Sequence, residues 1–117
     1  MGSTAQENRQ GLYEGMFILN AALSEDGRLK VWERVLNMIT SRGGSIEKIH
    51  DQGRRRLAYE INGRREGYYY LLYFRLPKSS VKELWRDLRL DEEVIRFMTL
   101  KAEQVLEKLE FKSLVTE

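Results

Sequence analysis

Hydrophobic and polar positions along this chain fall into four strand-like and two helix-like stretches. From Leu12 to about Ala22 the residues are rich in aromatic and aliphatic side chains, which predicts a first strand. Ser24 then offers a helix N-cap, with Glu25 and Asp26 in the first turn, where they suit the helix dipole. Leu29, Trp32, Leu36 and Ile39 recur at three- and four-residue spacing, so one face of this helix is apolar. Gly43-Gly44 supplies a left-handed stop. A second strand runs roughly from Ser45 to Ile61. Ile46 and Ile49 break strict alternation, so a bulge or bend is expected near Asp51 to Gly53. Leu57, Tyr59 and Ile61 alternate again. Asn62-Gly63-Arg64-Arg65-Glu66-Gly67 is turn chemistry between two strand-like arms, hence a hairpin. The third strand, Tyr68 to Leu76, ends at Pro77, the only proline. Ser79 or Ser80 caps a second helix with Val81, Leu84, Trp85 and Leu88 on one face, and the last strand covers about Val94 to Lys101.

The order β-α-β-β-α-β defines an α+β protein. Two helices must bury their stripes against one face of one sheet. Right-handed crossovers and a tight hairpin leave the ferredoxin-like split βαβ arrangement as the simplest solution, a four-stranded antiparallel sheet with two helices on one face. Residues 12–101 form this domain, residues 1–11 a flexible N-terminal segment and residues 102–117 a tail. Val105, Leu106, Leu109 and Leu114 in the tail have helical spacing. Strand parity assigns the sheet faces. In the third strand Tyr69, Leu71, Tyr73 and Arg75 form the set with a charge, so this set is assigned outward. Met16 and Ile18 point outward by the same logic, with Tyr13, Phe17 and Leu19 toward the helices. The open face then shows Met16, Ile18, Tyr69, Leu71 and Tyr73 together, an apolar surface suited to a protein partner. The alternative is that the C-terminal tail folds back and covers it.

Charge changes the picture more than composition does. The chain has 117 residues, 42% of them apolar and 32% charged, as expected of one folded domain. It has no cysteine, which excludes a disulfide framework and thiol chemistry. No apolar stretch approaches the roughly 18 residues of a membrane span, and Met1 to Gln10 lacks an apolar signal core. The net charge is only +2, but its distribution is uneven. Gly53-Arg54-Arg55-Arg56-Leu57-Ala58-Tyr59 carries three consecutive arginines against a strand-like run, and Arg64-Arg65 follows in the hairpin. Guanidinium forks match phosphate oxygens bidentately, so this concentration points to a nucleic-acid backbone rather than to catalysis. The tail is acidic, with Glu103, Glu107, Glu110 and Glu117 against Lys108 and Lys112.

The run from Gly53 to Ile61 resembles the Gly-x-Arg-Arg-Leu-Ala-Tyr-x-Ile segment of the family of bacterial ribosomal protein six of the small subunit. Tyr13-Glu14 opening the first strand, Gly67-Tyr68 opening the third, Pro77 closing it, and Leu88-Arg89 followed by Val94, Arg96 and Lys101 are similar to that family in order and spacing. The resemblance covers about Tyr13 to Lys101. It implies a ferredoxin-like, cytoplasmic ribosomal protein, with no enzymatic activity, cofactor or small-molecule substrate. It also implies docking with ribosomal protein eighteen onto the central domain of 16S rRNA. Arg55, Arg56 and Lys101 match basic positions of the family. Arg54 stands where the family often has an apolar residue. Arg64, Arg65 and Arg96 are carried as RNA candidates by their charge. The family's tail is often extended and packs on the partner protein, unlike the helical spacing read here.

Each feature also has a structural reading. Arg54 to Arg56 would protect a strand edge from pairing, and Arg64 and Arg65 would be a solvated tip. Tyr69, Leu71 and Tyr73 would stack on bases if this were an RNA-recognition motif. That motif, however, needs Phe17 and Tyr70 outward, against the parity above. His50, the only histidine, reads as a surface residue, Trp32 and Trp85 as core, and Asp91-Glu92-Glu93 as a solvated loop rather than a metal site. A small-ligand regulatory domain is a further use of the same fold, but the chain has no phosphate-cradling glycine loop. The same absence argues against an acylphosphatase.

Overall fold

The computed structural model describes residues 9–61 and 63–106. Its elements are β1 (Gln10–Asn20), α1 (Glu25–Thr40), β2 (Ser45–Ile61), β3 (Arg64–Pro77), a 3₁₀ turn (Lys78–Ser80), α2 (Val81–Leu90) and β4 (Val94–Lys101). The strands form one antiparallel sheet in the order β2-β3-β1-β4, the ferredoxin-like arrangement. The flexible segment expected over residues 1–11 falls mostly outside the described residues, and β1 already begins at Gln10.

Ser24 caps α1, its hydroxyl accepting from the Gly27 N–H at 3.1 Å. The buried stripe is Val31, Trp32, Val35 and Ile39. Leu29, expected on that stripe, is 47% exposed. The stripe is turned because Trp32 sets it: its ring stacks on Tyr70 at 4.0 Å and meets Phe17 edge-on at 5.6 Å. Gly43 has φ +82°. Beyond it, a Cβ on Gly44 would lie 2.6 Å from the Arg75 carbonyl, so the turn admits no side chain there. Ser80 precedes α2 but makes no capping bond; the 3₁₀ turn leads the chain in instead. Leu84 and Leu88 are buried, whereas Trp85 is only half-buried and donates to the Thr99 hydroxyl at 2.7 Å.

Asp91-Glu92-Glu93 is less a solvated loop than a clasp between the helices. Arg34 of α1 binds both carboxylate oxygens of Asp91, at 2.6 and 2.9 Å, and Glu93 accepts from the Asn20 amide at 3.1 Å. The Arg34 bond holds the Asp91 carboxyl below the usual carboxylate range.

Both faces of the two central strands are largely buried. The helix side carries Tyr13, Phe17, Leu19, Tyr70, Leu72, Phe74 and Leu76 against the two helices. The other side holds Met16, Ile18, Tyr69, Leu71 and Tyr73 with Leu57, and Ile61, Ile95, Ala102, Val105 and Leu106 pack against them.

Gly67 lies on the outer side, against Ile18. A Cβ there would sit 2.3 Å from Ile18 Cγ2, so Gly67→Ala should lower stability by about 1–3 kcal/mol in urea unfolding. Asp91→Asn tests the clasp through pH. The folded carboxyl titrates lower than the unfolded one, so its contribution is present above about pH 4 and fades as pH falls through the folded value. The stability gap between the parent and Asp91→Asn should therefore be full at about pH 7 and close toward about pH 2.

Candidate nucleic-acid interface

The basic residues are presented by a hairpin longer than the sheet's centre needs. β1 ends at Asn20, paired with Gly67, whereas β3 continues back through Glu66 and Arg65 to Arg64. Ile61 pairs with Arg64 across a two-residue loop whose Gly63 has φ +79°. Arg64 and Arg65 are therefore the first residues of β3 and not a loop tip. Between the Arg56–Glu66 and Ile61–Arg64 pairs, β2 advances five residues while β3 advances two, so Leu57 to Glu60 bow out of the ladder. The expected alternation of Leu57, Tyr59 and Ile61 fails for that reason. Leu57 turns into the outer cluster, and Tyr59 is 57% exposed.

The predicted bulge at Asp51 to Gly53 is present, with the register shifted there and Gly53 at φ +78°. Asp51 holds it with both oxygens. One accepts from the Gly53 N–H at 2.9 Å and the other from the Tyr68 hydroxyl at 3.0 Å. Arg28 of α1 stacks on the Tyr68 ring at 3.9 Å and donates to the Tyr70 hydroxyl at 3.3 Å. Burial first, and then the Asp51 bond, push the Tyr68 hydroxyl pKa upward.

Past this bulge the three arginines alternate. Arg54, opposite Tyr68, takes the helix-side parity, Arg55, opposite Gly67, the outer one, and Arg56, opposite Glu66, the helix side again. Arg54 donates to the Ala21 carbonyl at 2.9 Å and lies 3.6 Å from Glu66. The Arg55 Nε–H is buried and makes no hydrogen bond among the described residues. Arg65 pairs with Glu60 at 3.0 Å. Two carboxylates thus face five guanidiniums, and these exposed pairs are weak, worth about 0–1 kcal/mol each. Arg96 of β4 donates to the Tyr59 hydroxyl at 3.0 Å, bringing the bowed segment onto β4.

Two grooves at this end share Arg64. The smaller, about 290 Å³, lies among Ala21, Ala22, Arg54, Arg64 and Arg65. The larger, about 570 Å³, lies between Arg64, Arg89 of α2 and Arg96. Arg89 was not among the predicted RNA candidates, although it sits in the Leu88-Arg89 pair that carried part of the resemblance. Lys101 is not brought to this end. It pairs with Tyr13, about 20 Å along β1 from Asn20.

The expected open apolar face is corrected. Met16, Ile18, Tyr69, Leu71 and Tyr73 do share one side of the sheet, but they are buried. The bowed segment of β2 covers one end and the tail covers the other. Ala102 N–H donates to the Leu12 carbonyl at 2.9 Å, and four residues later the His50 Nε2–H donates to the Leu106 carbonyl at 2.7 Å. Residues 102–106 are therefore a strap and not a helix; Leu109 and Leu114 lie outside the described residues. His50, read as a surface residue, is half-buried and anchors the strap. Tyr73 donates to Glu14 at 2.5 Å, and burial, then that bond, push its hydroxyl pKa upward. Met98 and Leu100 on β4 remain exposed on this side.

Fold and site together define a class: a ferredoxin-like α+β domain with an arginine-rich end, of the kind found in ribonucleoprotein particles. Residues 12–101 match the family described as Ribosomal protein S6. The chain is 55% identical over 105 residues to the small ribosomal subunit protein bS6 of Protochlamydia amoebophila, covering 90% of this chain and 92% of that one. It is 51% identical over 109 residues to the Chlamydia caviae bS6, covering 93% and 97%. The crystal structure of 30S ribosomal protein S6 from Thermotoga maritima superposes with a TM-score of 0.75 at 36% identity, covering 80% of this chain and 89% of that one. The chain belongs to the ribosomal protein S6 family. It is a component of the small ribosomal subunit, in the cytoplasm, and not an enzyme.

Truncation after Lys101 removes Ala102, Val105 and Leu106 from the outer cluster. It should cost about 2–4 kcal/mol in urea unfolding and raise binding of an apolar dye, since these side chains are only partly buried.

Proposed function

We propose that the chain binds the central domain of 16S rRNA together with ribosomal protein eighteen. One observation carries the reading: Arg54, Arg55, Arg56, Arg64, Arg65 and Arg96 gather at one end of the sheet, with Arg89 beside them and, among the described residues, only Glu60 and Glu66 paired against the hairpin arginines. Such a surface neutralises phosphates and fixes register on a folded RNA without reading base edges. The paired arginines exchange one exposed carboxylate for a phosphate oxygen at little cost. Lys101, at the far end, belongs to a separate contact, if the RNA reaches around the sheet's edge.

The partner role assigned to Met16, Ile18, Tyr69, Leu71 and Tyr73 becomes indirect. They are the buried support of the outer side, and ribosomal protein eighteen meets Met98 and Leu100 beside the strap. This part rests on the family resemblance together with the exposed apolar pair. The RNA-recognition-motif reading loses its platform, because Phe17 and Tyr70 are buried under α1 and Tyr69 and Tyr73 under the strap and the bowed segment.

Binding to a central-domain fragment of 16S rRNA, measured over a salt series with and without ribosomal protein eighteen, tests the proposal. Affinity should fall steeply with salt and be higher with the partner present. Replacing Arg55 and Arg56 by Ala should weaken it roughly tenfold and flatten the salt slope by about two contacts. Binding indifferent to salt and to both substitutions would refute the RNA reading. Equal affinity with and without the partner would refute the cooperative one.

A further inference from the structure

Two of the grooves at the basic end share Arg64. The smaller has a polar rim and backbone of β1's end. The larger exposes Ile95 and Phe97 over the buried Leu88 and Val94, and is lined by guanidiniums from three separate elements: Arg64 of β3, Arg89 in the last turn of α2, and Arg96 of β4. Two carboxylates also line it, Asp91 and Glu92. Asp91 is already held through both oxygens by Arg34. Glu92 is exposed and has no hydrogen bond or ion pair among the described residues.

A paired RNA stem has no use for this combination. It offers backbone phosphates to a cationic surface and keeps its bases stacked and their pairing edges occupied. A single splayed-out nucleotide offers three chemistries at once: an apolar base face, flanking phosphates, and a free pairing edge. Ile95 and Phe97 match the first and the three arginines the second. A carboxylate accepts hydrogen bonds and cannot donate them, so Glu92 favours an edge rich in N–H groups. Guanine presents two such groups side by side on its pairing edge, uracil one.

We infer that the groove between Arg64, Arg89 and Arg96 takes one unpaired nucleotide of the bound RNA, with guanine preferred through Glu92. The inference rests on the reading of this end as an RNA surface. It adds base selectivity to a contact that Arg54 and Arg56 make with phosphates alone.

The test uses the full chain and three RNA hairpins with the same stem, carrying one bulged guanine, one bulged uracil or no bulge, measured by fluorescence anisotropy. The guanine bulge should bind roughly tenfold tighter than the uninterrupted stem, a step of the size one good base contact supplies. Arg89→Ala should remove that advantage, weakening the guanine bulge by a clearly larger factor than the uninterrupted stem. Glu92→Gln, an exposed and isosteric change, should reduce the preference for guanine over uracil. Replacing Arg54 and Arg56 by Ala should weaken all three hairpins alike. If all three bind equally and all depend on Arg54 and Arg56, RNA binding stands and the groove assignment falls. A bulge preference that survives Arg89→Ala also overturns the assignment. So does a groove that instead binds a glutamate-rich peptide in an Arg89-dependent way, which would give it to a protein segment. Failure to bind any hairpin overturns the inference, while the RNA reading is decided separately on the central-domain fragment with the partner.

Discussion

The eleven-residue ladder between β1 and β3 is the constraint on which the rest depends. These are the two central strands, and both of their faces are buried over most of the ladder, so most side chains along them are committed to one layer or the other. A slip of one residue would exchange the two sets. Phe17, Tyr70 and Phe74 would leave the helices, and the Tyr73–Glu14 bond would be lost. Gly67 tightens the constraint where the ladder ends, because Ile18 occupies the space a side chain would need. The register is thus fixed by packing on two sides rather than by one hydrophobic face alone.

From that ladder the basic end follows. β1 stops at Asn20, but β2 and β3 continue as a two-stranded arm, and an unsupported arm of this kind is marginal in water. It is held by bending over. The bowed segment inserts Leu57 against Ile18 and Tyr69, and Tyr59 meets Arg96. Asp51, Tyr68 and Arg28 secure the base of the arm against α1. The guanidiniums themselves contribute little to stability and repel one another. They are tolerated because they stand in high-dielectric surroundings where that repulsion is screened, and a phosphate ligand relieves it. The hairpin's stability is therefore carried by residues other than its arginines.

The outer side of the sheet shows how a surface suited to a partner can be closed by the chain itself. Its five apolar residues are covered from one end by β2 and from the other by the strap over residues 102–106, pinned at Leu12 and at His50. What remains exposed is the edge strand, with Met98 and Leu100.

Much of this was legible in the sequence, and the limits are physical. Period-two and period-three-to-four patterns placed β4 to the residue and the starts of α1 and α2 just after Ser24 and Ser80, and the parity of β3 correctly sorted Tyr70, Leu72 and Phe74 from Tyr69, Leu71 and Tyr73. Out-of-step Ile46 and Ile49, with Gly53, announced the bulge. The arginine run and its resemblance identified the family, since local spacing is preserved in the chain itself. Whether the outer face is open could not be read, because alternation says which side a residue faces and not what lies on that side. Nor could the pooling of Arg64, Arg89 and Arg96 at one groove while Lys101 stays at the other end. Those residues are far apart in sequence, and only the strand order and the antiparallel directions decide which strand ends meet. The sequence by itself determined the elements, their faces and the charge they carry. The tertiary structure alone decided which of those faces are covered and which charges act together, because both depend on long-range packing that no local pattern encodes.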